Sequence, residues 1–142
     1  MSTEVSIVYV LTALAALVVV LTRLRLGRDK GAGRVYVGRS LLNVHTGSGA
    51  LALVAWLVFL LAGDSLSDNT EGLIGIAALA LWWVVVVSGL LILVRWLPSS
   101  GRHASGGKED TWSEGPGLSV LAHVGMLVGV CVFTWAYVTS VV

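Results

Sequence analysis

Two histidines, His45 and His123, stand at matching depth in two of the four long apolar stretches of this 142-residue chain. Each lies four or five residues inside its stretch. If the stretches cross a bilayer in alternating directions, both imidazoles fall in one leaflet, about one to two turns from the surface at about 1.5 Å per residue. Ionisable groups at that depth are costly, and they mark functional sites. Neutral imidazoles on two facing helices can serve as the axial ligands of one haem iron, or as donors to a softer metal.

The neighbours of each histidine are small. Gly49 follows His45 by four residues and so shares its helical face, with Thr46, Gly47, Ser48 and Ala52 nearby. Gly125 and Gly129 thin the fourth stretch around His123. Such narrowing lets a flat cofactor, or another backbone, come close. Spacing from His123 puts Ser119, Val130, Thr134 and Tyr137 on an inward face of the fourth stretch. Ser6, Tyr9, Ala13 and Ala16 are the matching face of the first, and Ser88-Gly89 marks a small polar site in the third. Haem propionates need cationic partners near the surface. Arg39 and Arg95 are the candidates, with Arg34, Arg102 and His103 further out. Basic residues in these places also follow from membrane orientation alone.

The elements that must carry the two histidines are transmembrane helices. Hydrophobic residues make up 56% of the chain and charged residues 12%, about half the charge of an ordinary soluble domain. Mean hydropathy is +0.90. Spans are expected at about 5–24, 41–62, 73–97 and 118–140, each near the roughly 20 residues that a membrane helix needs. No ten-residue alternation suggests barrel strands. The expected fold is an all-α membrane protein, a four-helix up-down bundle over residues 1–142 as a single domain. Ser40 is the expected N-cap of the second span, Glu71 the start of the third, and Pro116 a first-turn residue of the fourth.

Orientation follows from charge. Of the nine Lys and Arg residues, six lie between spans one and two and three follow span three. The link between spans two and three carries Asp64, Asp68 and Glu71 and no basic residue. The first and third connections are therefore expected in the cytoplasm and both termini outside, in a bacterial plasma membrane. Glu4, and the lack of a basic residue before the first stretch, predict a retained helix rather than a cleaved signal.

Other chemistries are excluded. Cys131 is the sole cysteine, so neither an internal disulfide nor a multi-cysteine cluster can form. No acidic residue lies within a span, which rules out a proton-coupled small multidrug exporter, and no phosphate-binding loop is present. The aromatic residues Trp56, Trp82 and Trp83 lie deep and are expected to pack against neighbouring helices or to wall a quinone.

The segments Leu41-Leu42-Asn43-Val44-His45-Thr46-Gly47-Ser48-Gly49 and Leu121-Ala122-His123-Val124-Gly125-Met126 resemble those of bis-histidine membrane cytochromes b. These include cytochrome b561-like proteins and the haem-bearing anchors of succinate dehydrogenase, hydrogenase and formate dehydrogenase. The resemblance covers about a tenth of the chain. It implies haem b held by His45 and His123, exchange with quinone, and a partner redox subunit. Four-histidine bundles of the b561 type hold two haems, whereas the outer half of this bundle has no histidine. One haem is expected here, in a subunit that is not catalytic alone. Lipid and other respiratory subunits, not nucleic acid, are the expected partners. Two further readings stay open: a cofactor-free structural or assembly subunit, and a copper-handling protein using His45, His123 and Met126. A phosphatase reporter that folds only outside the cytoplasm should be active when fused after Asp68 and inactive after Gly106. The opposite result would invert the orientation.

Overall fold

The computed structural model describes residues 2–27, 38–96 and 116–142. Four helices account for nearly all of them: α1 (Thr3–Gly27), α2 (Arg39–Ala62), α3 (Asp68–Trp96) and α4 (Pro116–Val138), with one 3-10 turn at Gly63–Ser65. All four are long and apolar enough to cross a membrane. A hydrocarbon core offers no partner for a free peptide group, so each span satisfies its backbone internally. Hydroxyls inside the spans do likewise. Thr12, Thr46, Ser48, Ser88 and Thr134 each donate to the carbonyl four residues back, at 2.6–2.8 Å. The segment 28–37, residues 97–115 and with them Arg34, Arg102 and His103 lie outside the described residues.

The helix ends differ in detail from expectation. α2 is capped by Gly38 rather than Ser40, because the Gly38 carbonyl accepts the amides of Leu41 and Leu42 at 3.0 and 3.3 Å. α3 begins three residues before Glu71, where the Ser67 carbonyl takes the Thr70 and Glu71 amides and the Ser67 and Thr70 hydroxyls pair at 2.8 Å. Pro116 opens α4, as its fixed φ suits. At the far end Ser140 turns left-handed at φ 53°, and the Val141 amide reaches back to the Ala136 carbonyl at 2.9 Å. That closure satisfies a terminal carbonyl that would otherwise be orphaned.

Paired contacts show consecutive helices running in opposite directions. Tyr9 donates to the Leu60 carbonyl, while Arg23 at the other end of α1 donates to Asn43. Glu71 lies against Gly63, and Ser88 meets His45. Tyr137 donates to the Gly72 carbonyl at 2.9 Å, and Gly89 meets His123. Each helix packs on the next and α1 closes against α4, so α2 and α4 face each other across the diagonal. α3 is the most enclosed, with half of its most apolar window buried against about a fifth to a third for the others.

The half of the bundle away from the histidines is packed with aromatic rings. Trp56 lies 5.0 Å from Phe133 and 5.2 Å from Phe59 between centroids, and Trp82 lies 5.8 Å from Phe133. The Trp56 indole donates to Thr12 at 3.1 Å. Trp56 and Trp82 are fully buried, but Trp83 turns outward. The inner face of α1 also differs from the expected Ser6, Tyr9, Ala13 and Ala16: Val8, Thr12 and Ala15 are buried, each one position before Tyr9, Ala13 and Ala16, and Val19 continues the buried stripe. On a helix apolar all round, sequence gives no polar face to fix the rotation. The outward faces carry Leu14, Leu51, Leu61, Val94 and Val138, a surface suited to lipid.

Gly75 is where α3 admits the Tyr137 and Phe59 rings; a Cβ there would collide with Tyr137. Gly47 faces open space. Gly75→Val should therefore destabilise the folded protein by about 1–3 kcal/mol through overpacking, while Gly47→Val stays near wild type. Unfolding in mixed detergent micelles measures the difference.

Candidate metal-binding site

Each histidine is fixed by one bond on its Nδ1 side. His123 Nδ1 lies 2.7 Å from the Ser119 carbonyl oxygen, one helical turn back. A carbonyl only accepts, so Nδ1 carries the proton and Nε2 keeps its lone pair. His45 Nδ1 lies 3.4 Å from the Ser88 hydroxyl on α3. The single Ser88 proton is directed to backbone carbonyls, at 2.7 Å to Val84 and 3.1 Å to Val85. Toward His45 the Ser88 oxygen is thus the acceptor, and His45 also carries its proton on Nδ1. Both rings present bare Nε2 atoms. A protein carbonyl or hydroxyl on the outer nitrogen is the arrangement that orients metal-binding imidazoles.

The bare nitrogens are buried and have no hydrogen-bond partner among the described residues. His45 is 1% exposed and His123 5%. Their ring centroids are 6.2 Å apart, with 30° between the planes. A metal held between them at about 2.0–2.1 Å from each nitrogen, with the ring radii added, spans about 6 Å between centroids. The α3 backbone reaches the gap at Gly89. A Cβ there would sit 2.8 Å from His123 Cδ2 and 3.4 Å from both His123 Nε2 and His45 Cε1. One point thus lies beside the bare nitrogen of one ring and the carbon adjoining the bare nitrogen of the other.

Among the described residues no group of three or more His, Cys, Asp or Glu side chains could hold a metal ion. Two nitrogens leave a bare zinc or copper ion short of the usual set of ligands. They do suffice for an iron whose other four ligands come from a porphyrin. The orphaned nitrogens and the side-chain-free approach of Gly89 therefore fit haem better than a bare ion.

Other candidate residues fall into separate places. Arg39 begins α2, exposed, six residues or about 9 Å along the axis from His45. Arg95 lies in the last turn of α3, at the same end of the bundle and six residues beyond Gly89. Gly49 meets neither ring: its Cβ would lie 2.8 Å from both methyls of Val19, so this glycine admits α1. The glycine against the rings is Gly89. Depth could have linked Ser88-Gly89 to the pair, since they precede Arg95 by about the interval that separates Arg39 from His45.

Between α1, α4 and the end of α3 a groove of about 890 Å³ opens; it reaches His123 but not His45. Its lining includes Ala15, Val18, His123, Gly125, Met126 and Gly129. No family of proteins, no curated protein and no solved structure matches this chain.

The tautomers can be tested without any cofactor. Nitrogen NMR of the purified protein should show both histidines neutral with the proton on Nδ1. Ser88→Ala should leave His123 unchanged and allow His45 to populate the other tautomer. If His45 carries its proton on Nε2 in the wild type, the pair of bare Nε2 atoms does not exist.

Proposed function

We propose that the chain is a small cytochrome b-type membrane subunit holding one haem b between α2 and α4, with His45 and His123 as axial ligands. The observation that carries this reading is the pair of buried Nε2 atoms with no partner among the described residues, on rings whose centroids are 6.2 Å apart. A buried acceptor without a partner is unfavourable, and a Lewis acid held by both rings would satisfy the two together. Bound haem would supply a one-electron iron centre, and the protein would supply binding, orientation and a water-free setting.

The chain's own residues have distinct parts in this reading. Ser119 and Ser88 keep the imidazoles in the ligating tautomer. Gly89 lets α3 close on the ligand pair without a side chain in the way. Arg39 and Arg95, at the same end of the bundle, would serve the propionates. The positive-inside bias puts that end in the cytoplasmic leaflet of a bacterial plasma membrane, with both termini outside. Aromatic packing occupies the other half of the bundle, and no described residue there offers a second axial pair. The subunit would therefore carry electrons within one leaflet, between a partner redox subunit and quinone.

The purified protein should show sharp α and β bands on reduction with dithionite, and a pyridine haemochrome of haem b. His45→Ala and His123→Ala should each abolish bis-histidine ligation, whereas Arg39→Gln should retain it. A wild-type protein that takes up no haem, during expression or on titration, would reject the reading. Stoichiometric copper would favour a metal-handling role, and a colourless protein bound to a larger complex would favour a structural one.

A further inference from the structure

The groove bounded by α1, α4 and the end of α3 is about one leaflet long. Its lining runs from Leu11 to Leu24 on α1 and from Leu118 to Gly129 on α4. At about 1.5 Å per residue these stretches are about 20 Å and about 16 Å. The hydrocarbon of one leaflet is about 15 Å deep, half of the usual thickness of about 30 Å. The groove thus starts where α1 finishes and α4 begins, and it stops near the middle of the bundle. Its polarity is graded. Thr22 and Ser119 stand near the starting end, and beyond them the lining is apolar apart from His123, whose Nδ1 is already bonded to Ser119. Gly125 and Gly129 keep the α4 wall low, since a Cβ at either would meet nothing within 4 Å.

Positive charge gathers at the same end. Arg25 follows Val18 and Thr22 at intervals of seven and three residues, so it continues the α1 face that lines the groove. Arg95 follows Ile92 by three residues and continues the α3 face in the same way. Arg23 is on another side of α1: it donates to Asn43 of α2, a helix that the groove does not touch. We propose that the groove holds one anionic phospholipid, with an acyl chain along its length and the phosphate at the Arg25 and Arg95 end. A membrane-crossing helix would need a track through both leaflets, and this one covers a single leaflet. A neutral isoprenoid would leave the basic end unanswered. The lipid would fill the space that α1, the least enclosed helix, leaves against α4. The proposal rests on the groove and its charges, and it needs neither His45 nor a haem.

The test is native mass spectrometry of the full-length protein in detergent. The protein is titrated separately with dioleoyl phosphatidylglycerol and with phosphatidylcholine of the same chains. Wild type should retain one phosphatidylglycerol at concentrations where phosphatidylcholine is lost. Arg25→Gln and Arg95→Gln should each weaken that retention about fivefold. Arg23→Gln, which removes the same charge from another side of α1, should leave it unchanged. Gly125→Phe and Gly129→Phe fill the groove and should weaken retention about tenfold or more. Helix content and melting temperature, measured alongside, identify the groove variants that fold. Equal retention of the two lipids by wild type would overturn the proposal. So would a preference for phosphatidylglycerol that survives in a folded groove variant, or a loss in Arg23→Gln equal to that in Arg25→Gln. A quinone or a second copy of the chain, bound to wild type and lost on Gly129→Phe, would give the groove a different occupant and overturn it as well.

Discussion

Two buried imidazoles whose Nε2 atoms find no partner among the described residues are the constraint around which this bundle is arranged. His45 and His123 each commit their N–H to an oxygen on the far side of the ring, so neither can donate to the other. Both Nε2 atoms are buried, and no donor among the described residues reaches either. A soluble protein could relieve such a contact by turning one ring toward solvent. Here the rings are nearly inaccessible and stand on diagonal helices whose positions the rest of the bundle fixes.

α3 does most of that fixing. It supplies the Ser88 oxygen that orients His45, and Gly89, where a Cβ would come within 2.8 Å of His123 and 3.4 Å of His45. Toward its other end Gly75 receives Tyr137 and Phe59, and Gly72 accepts the Tyr137 hydroxyl. The same helix therefore sets the depth of α2 and α4 relative to each other. A shift of one turn along α3 would part the histidines by about 5 Å. The aromatic cluster of Trp56, Trp82, Phe59 and Phe133 resists such a shift, because large interlocked rings tolerate little sliding.

α1 has the opposite character. About a fifth of its most apolar window is buried, and it meets α2 closely through Val19 and Gly49 while leaving a groove against α4. Small residues on α2 and α4 thus have two uses in one bundle. Gly49 brings backbones together, whereas Gly125 and Gly129 keep a space unfilled. Without the surrounding contacts the three glycines are indistinguishable.

Four helices of membrane-crossing length were legible from the length and purity of the apolar runs, since the hydrocarbon core imposes both. The prominence of His45 and His123 was equally legible, because a titratable ring at that depth stands out against aliphatic neighbours. Rotation about each helix axis was not. Lipid-facing and core-facing residues are both apolar, so sequence could not set the inward face of α1 or distinguish buried Trp82 from outward Trp83. Nor could spacing along one helix show that Gly49 serves α1 and Gly89 serves the rings, since each assignment depends on which neighbour approaches. Composition and periodicity determined that two imidazoles would sit in a four-helix membrane protein. The packing of α3 between α2 and α4 decided that the two rings would be buried together, 6.2 Å apart between centroids, because contact across helices depends on rotation and depth that no single stretch encodes.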